Sequence, residues 1–271
     1  MTVSETPAVS VTHLSKTFVR GGWVSREEVH AVRDVSFDLR PGTTLALVGE
    51  SGSGKTTVAR MIAGLERPTG GHVRIFGAEQ GSRMVRRDRL ARARQLQLVF
   101  QNPYRSLDPR QTVESAIGEF LRLHSDTTEA KLHSRIDELL DLVSLARNLR
   151  QSLPGALSGG QRQRVCIARA LAPEPRILIL DEAVAALDVS VQAQVLNVLA
   201  DVRDGTGVSF LFVTHDLAVV RQIADDVVVM RHGSVVERGS AAEVLDSPRE
   251  DYTKLLRDSV PRAGWSPRRR A

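Results

Sequence analysis

The chain has 271 residues, enough for one large domain, and its 42% apolar and 25% charged content is that of a folded globular protein. A single cysteine, Cys166, excludes a disulfide framework and a cysteine-built metal site, and it points to a cytoplasmic setting. The net charge of +5 gathers in Arg83, Arg86, Arg87, Arg89, Arg92 and Arg94 and in RRR at 268–270; with only 4% aromatic residues, this fits a solvated helix face and tail better than a nucleic-acid groove.

The opening MTVSETPAVS has neither a basic leader nor an apolar run, so no export signal is expected. Val9, Val11 and Leu14 alternate, as do Val35, Phe37 and Leu39, which predicts two half-buried strands with a hairpin-like excursion, VRGGWVSREEVHAV, between them. A turn and a short apolar strand, Leu45–Val48, lead into GESGSGKTT, which is Gly49, Glu50, Ser51, Gly52, Ser53, Gly54, Lys55, Thr56 and Thr57. This fits G-x-x-x-x-G-K-[ST] without a gap, after a predicted strand and before a predicted helix, TVARMIAGL. Glycines at 49, 52 and 54 let backbone N–H groups turn inward where side chains would block phosphates. The helix starting near Lys55 adds its free N–H groups and positive dipole end. Lys55 is placed to reach the β- and γ-phosphates of a nucleotide, Thr56 to ligate Mg²⁺, and Thr57 to donate to the α-phosphate.

GHVRIFG reads as a further strand, and LQLVF (96–100) as a buried one ending in Gln101. Residues 112–150 read as helical, with Leu132, Ile136, Leu139, Leu140 and Val143 on one side, and 102–157 is predicted to be a helical subdomain inserted in the α/β body. LSGGQRQRVCIARALA reads as the helix that returns to that body. Ser158 is its natural N-cap, and Gly159 and Gly160 leave open N–H groups for a second phosphate-sized anion. A plain cap accounts for Ser158. It does not account for two glycines inside a first turn, where each costs about 1 kcal/mol. If two copies pack head to tail, the Ser158–Gly160 turn of one closes over the nucleotide on Lys55 of the other.

RILILDE is a buried strand ending in two carboxylates, Asp181 to hold Mg²⁺ through water and Glu182 to take a proton from the attacking water. VSVQAQVLNVLADVR, VSFLFVTH and DVVVM continue a helix–strand alternation expected of a parallel sheet, with His215 on the same rim as Gln101. A small strand pair near 228–237 and a helix around YTKLL end the pattern. The seven histidines show no metal-ligand spacing.

GESGSGKTT, Gln101, LSGGQ, ILILDE, LD at 187–188 and His215, in this order, resemble the ATP-binding cassette (ABC) ATPases, over residues 8–258. The resemblance implies a P-loop fold of α/β class: a mixed sheet with an N-terminal antiparallel part and the inserted helical subdomain, followed by a basic tail at 259–271. It implies that Ser158, Gly159, Gly160 and Gln161 contact ATP across a dimer, that Asp188 lies in the loop linking the two sites, and that Phe18 stacks on adenine. Gln101 is expected between the Mg²⁺ site and a region that grips a transmembrane permease. Where the family usually has Pro-Thr-Ser after the glutamate, this chain has Ala183, Val184 and Ala185.

QNPYRSLDPR, LDVSVQAQVLNVLADV, VVERG and SPREDYTKLL are similar to the ATPases of oligopeptide, dipeptide and nickel importers. That likeness implies a peripheral subunit on the cytoplasmic side of the cell membrane, working with permease subunits, a second ATPase (identical or paired) and an extracytoplasmic substrate-binding protein. Peptides are the expected cargo, with nickel or metal chelates and glutathione as alternatives. A nucleic-acid-directed ATPase is the reading from another class: Lys55 to Ser158 is too short an interval for the coiled coils of DNA-repair members.

Overall fold

The computed structural model describes residues 6–21, 27–80, 86–101, 106–124 and 128–259. Two long strands, β1 (Val9–Arg20) and β2 (Glu27–Leu39), pair antiparallel. The predicted excursion between them is therefore mostly strand, with Phe18 opposite Val29 and Arg20 opposite Glu27. Its outer end is water-facing and lacks the alternation that marks a half-buried strand. β3 (Thr44–Val48) leaves this layer and leads through the glycine loop into α1 (Lys55–Ala63). β4 (Gly70–Ile75) then returns along the free edge of β1, and β5 (Ala78–Glu79) completes a four-stranded sheet in the order β2-β1-β4-β5.

α2 (Arg86–Gln95) precedes β6 (Leu96–Val99), which stops one residue before the predicted end and leaves Phe100 43% exposed. The helical stretch expected over 112–150 is two helices, α3 (Val113–His124) and α4 (Glu129–Leu142), followed by a 3₁₀ turn at Arg147–Gln151. α5 (Gly159–Leu171), β7 (Ile177–Asp181), α6 (Val189–Thr206), β8 (Ser209–Thr214) and α7 (Leu217–Ile223) then alternate. β9 (Asp226–Arg231) and β10 (Ser234–Ser240) form the expected strand pair, and α8 (Ala241–Asp246) and α9 (Asp251–Asp258) end the described chain.

The main sheet has the order β10-β9-β3-β8-β7-β6, antiparallel only between β9 and β10. β3, β7 and β8 are buried at every position because layers cover both faces, which is why they read as unbroken apolar runs. The period of two divides them. Leu178, Leu180, Phe210 and Phe212 face a core shared with α3, α4, α5 and α6. Ile177, Ile179, Leu211 and Val213 face α1 and the antiparallel sheet. Parallel pairing points β3, β6, β7 and β8 the same way, so their carboxyl ends share one rim.

The Arg-rich segment is used in part for packing. Arg92 is half-buried and donates from its guanidinium to the Ile62 carbonyl at the end of α1, where a cation complements the helix dipole. Arg83, the side chains of Arg86, Arg87 and Arg89, and the tail from 260 onward lie outside the described residues.

Phe212 is fully buried in the central strand. Phe212→Ala should cost about 3–5 kcal/mol and lower the melting temperature by roughly 10 °C, read by calorimetry on the full chain.

Candidate functional site

The glycine loop bridges β3 and α1, and its conformation shows why three of its residues are glycine. Gly49, Gly52 and Gly54 all have positive φ (149°, 82° and 101°). At Gly49 a Cβ atom would come within 2.2 Å of the Met230 carbonyl oxygen, and at Gly54 within 2.4 Å of that of Ala31. The sequence argument placed the obstacle on the phosphate side. At 49 and 54 it is the protein's own backbone, from β9 and β2, packed against the loop's outer wall. Gly52 faces open space and answers to φ alone.

Lys55 is 4% exposed and turns its ammonium back into the loop, donating from Nζ to the carbonyls of Gly49 and Glu50 (2.7 Å each) and to Ser53 Oγ (3.3 Å). Burial lowers its pKa against the upward pull of Glu182, Asp181 and Glu50. Asp181 ends β7 with its carboxylate buried, and Thr56 donates its hydroxyl to it at 3.0 Å. Burial raises the Asp181 pKa, the Thr56 hydrogen bond partly offsets this, and the neighbouring Glu182 charge adds to the rise. A buried carboxylate short of countercharge beside a hydroxyl is a donor set of hard oxygens suited to a hydrated Mg²⁺.

Glu182, the next residue, adopts φ 49°, a left-handed conformation rare outside glycine and asparagine, and is pinned there by its N–H on the Val213 carbonyl (2.9 Å). That turn carries its carboxylate out of the strand and onto the rim. Gln101 Nε2 donates to Glu182 Oε2 at 2.6 Å, and His215 Nδ1 lies 3.4 Å from Oε1. Residues 81 and 33 positions away in sequence thus meet the two oxygens of one carboxylate.

The second turn stands on its own helix. Ser158 Oγ accepts from the Gln161 N–H (3.2 Å) and Gln161 Oε1 accepts from the Ser158 N–H (2.8 Å), a complete capping box. The first-turn N–H groups of Gly159 and Gly160 have no acceptor within the helix. The bareness of Gly160 has a further reason that the sequence did not suggest: a Cβ there would lie 2.3 Å from Val191 Cγ1 on α6. Asp188 is exposed and caps α6, accepting from the Val191 N–H (3.0 Å) and the Ser190 hydroxyl (2.8 Å). Asp188 and the second turn are thereby neighbours. Ala183 and Val184 are buried in the helical-layer core, so the departure from Pro-Thr-Ser is partly core packing. Phe18 sits half-buried on β1 with Lys16 Nζ 4.8 Å from its ring centroid.

One contact had no signal in the sequence. The Glu50 N–H donates to the hydroxyl of Tyr252 on α9, at 3.1 Å and 202 positions away.

The model of the family described as ABC transporter matches residues 32–185. A protein of Brucella abortus (strain 2308), provisionally named as a peptide import ATP-binding protein, is 46% identical over 235 residues, covering 87% of this chain and 70% of that protein. The glutathione import ATP-binding protein GsiA of Escherichia coli (strain K12) is 44% identical over 258 residues; they cover 94% of this chain but 41% of GsiA, which is therefore much longer. Among solved structures, cbiO1 of Clostridium perfringens, part of an ABC transporter complex, superimposes with TM-score 0.78 at 26% identity, covering 90% of this chain and 92% of that one. A dimeric ATP-binding cassette bound to ADP and Pi superimposes with TM-score 0.76 at 28% identity, covering 86% and 98%.

Two outcomes follow from this geometry. The folded-state pKa of Asp181 lies above its unfolded value, so its ionised form at neutral pH opposes folding, and the opposition fades as the pH falls through that folded pKa. Asp181→Asn should therefore raise the nucleotide-free melting temperature by a few degrees (about 1 kcal/mol) at pH 7 and lose the gain in acid, read by thermal scans at both pH values. Gly160→Ala should lower stability by about 1–3 kcal/mol, and adding Val191→Ala should restore most of it, measured by denaturant unfolding.

Proposed function

The chain belongs to the ABC transporter family and is one of its ATP-hydrolysing cassettes, and from that premise we propose that it powers an importer of oligopeptides or dipeptides through a separate membrane permease. The observation that carries the mechanism is the convergence of Gln101, Glu182 and His215 beside Lys55, Thr56 and Asp181 on one rim of the sheet.

In the reading we propose, Lys55 exchanges its Gly49 and Glu50 carbonyls for phosphate oxygens when ATP enters. The exposed N–H groups at the start of α1 and the helix dipole hold the same anion. Thr56 and Asp181, with Gln101 at the edge, would hold Mg²⁺, which when bound would neutralise charge on the phosphates. Glu182 takes the proton from water as it attacks the terminal phosphate. Gln101 donates to Oε2 of this carboxylate, which leaves Oε1 as the oxygen open to accept that proton. His215 is placed to donate toward the terminal phosphate. Phe18 supplies an aromatic face for adenine.

The second turn completes the site from another copy. Ser158, Gly159, Gly160 and Gln161 offer unpaired N–H groups and a hydroxyl to the phosphates held by a partner's Lys55, and Asp188 lies beside that turn. A match to a cassette solved as a dimer with ADP and Pi supports this reading.

The helical unit at 102–157 is proposed as the coupling element. A cleft of about 1180 Å³ opens between it and the end of α1, lined by Leu65, Phe100, Phe120, His124 and Arg169 among others. This is a partly apolar groove suited to a helix of the permease. No helix among the described residues is long and apolar enough to cross a membrane. We place the chain as a peripheral subunit on the cytoplasmic face, with a second ATPase, permease subunits and an extracytoplasmic binding protein as partners, and no nucleic acid. Glutathione, itself a tripeptide, is the second cargo reading, favoured by the likeness to GsiA over 94% of this chain; nickel and metal chelates are the third.

Glu182→Gln should cut ATP turnover by about 10²–10⁴ and accumulate an ATP-loaded dimer, read by phosphate release and light scattering. Turnover at the unsubstituted rate would overturn the role given to Glu182. Transport assays of the co-purified complex with di- and oligopeptides, glutathione and nickel chelates separate the cargo readings.

A further inference from the structure

The phosphate loop is walled from outside mostly by backbone: the Met230 carbonyl against Gly49, the Ala31 carbonyl against Gly54, and the Gly233 N–H on the Ser53 carbonyl (3.1 Å). Its crest at Glu50 is held differently. The Glu50 carbonyl faces inward, accepting from Lys55 Nζ (2.7 Å) and the Ser53 N–H (3.2 Å), while its N–H faces outward to the Tyr252 hydroxyl (3.1 Å).

Tyr252 is a fixed partner. The residue is 6% exposed, packed in the core formed with Ala46, Val48, Val229, Val244 and Leu245. The Arg231 guanidinium lies 4.8 Å from the ring centroid. The helix that carries Tyr252 is itself moored at its start. The Glu237 carboxylate on β10 accepts from the N–H groups of Arg249 (2.8 Å) and Glu250 (3.3 Å), just before α9. An anion placed there satisfies otherwise unpaired donors and complements the helix dipole.

We propose that Tyr252 is a positioning residue for the nucleotide: moored through Glu237, it holds the Glu50 peptide so that the phosphate loop keeps its shape when Lys55 lets go. This rests on the reading of Gly49–Thr57 as the ATP site. Phosphate entry reduces the inner hold on Glu50 to the Ser53 N–H, because the three donors of the Lys55 ammonium are already taken by Gly49, Glu50 and Ser53 and must be released to reach the ligand. The outer tie to Tyr252 touches neither the ligand nor Lys55, so it persists in both states. A preorganised loop costs less to order on binding. The hydroxyl makes no contact with Gln101, Glu182 or His215, so its contribution falls on nucleotide affinity and leaves the chemical step to others.

The test uses the full chain, with equilibrium binding of a fluorescent ATP analogue, steady-state ATPase kinetics and thermal melting. Tyr252→Phe keeps the ring and removes only the hydroxyl; it should weaken nucleotide binding about 3–10-fold and raise KM in proportion, with kcat at saturating ATP within about twofold and the melting temperature nearly unchanged. Glu237→Gln should act in the same direction through the helix. The doubly substituted chain should bind no more weakly than Tyr252→Phe alone, since both lie on one path. A Leu245→Ala control, which loosens the same core, should lower the melting temperature without moving affinity. Unchanged affinity in Tyr252→Phe, or a double variant whose loss is the product of the two single losses, overturns the proposal. Failure of the unsubstituted chain to bind ATP would instead overturn the nucleotide reading itself.

Discussion

Parallel pairing of β6, β7, β8 and β3 is the constraint on which the rest of this molecule depends. Strands that run the same way must end on the same side, and only there does the chain emerge from a doubly covered sheet into a place where polar groups can be tolerated. The glycine loop follows β3, Asp181 and Glu182 close β7, His215 follows β8, and Gln101 comes two residues after β6. Each is delivered by an apolar strand whose burial fixes its register, so the rim inherits its accuracy from the core.

The rim buries charge. Burial disfavours the charge on both Lys55 and Asp181, and removing ions from water costs several kcal/mol each after relaxation. Here the cost is met by internal stand-ins: two carbonyls and a hydroxyl for the lysine, and the Thr56 hydroxyl for the aspartate. The left-handed backbone at Glu182 stores strain at the same point. Such strain is affordable because the Val213 carbonyl and the surrounding sheet over-determine that residue's position.

Glycine in this protein answers to several masters. At 49 and 54 the neighbouring strands come too close for a side chain, at 52 the dihedral angle alone demands it, and at 160 a valine of the next helix fills the space. The glycine loop and its supporting wall are therefore specified together: widening the loop for a side chain would push β2 and β9 off it. The same economy appears at Asp188, whose carboxylate caps α6 while lying beside the turn that Ser158 opens.

The sequence by itself determined what short-range rules govern. Unbroken apolar runs declared doubly covered strands, G-x-x-x-x-G-K-T placed a glycine loop between a strand and a helix, and Ser158 announced a helix start, to which the structure adds a capping box with Gln161. These are patterns within one or two turns of chain, where backbone geometry and hydrophobic period leave little choice. The outer reach of β1 and β2 escaped notice because both of its faces meet water and no alternation is imposed. Tertiary structure alone decided that Gln101 and His215 address separate oxygens of Glu182, that Val191 occupies the space over Gly160, and that Tyr252 reaches Glu50. Those pairings join residues 31 to 202 positions apart, and which strand ends and helix faces become neighbours is set by how whole layers pack, a property that no local spacing carries.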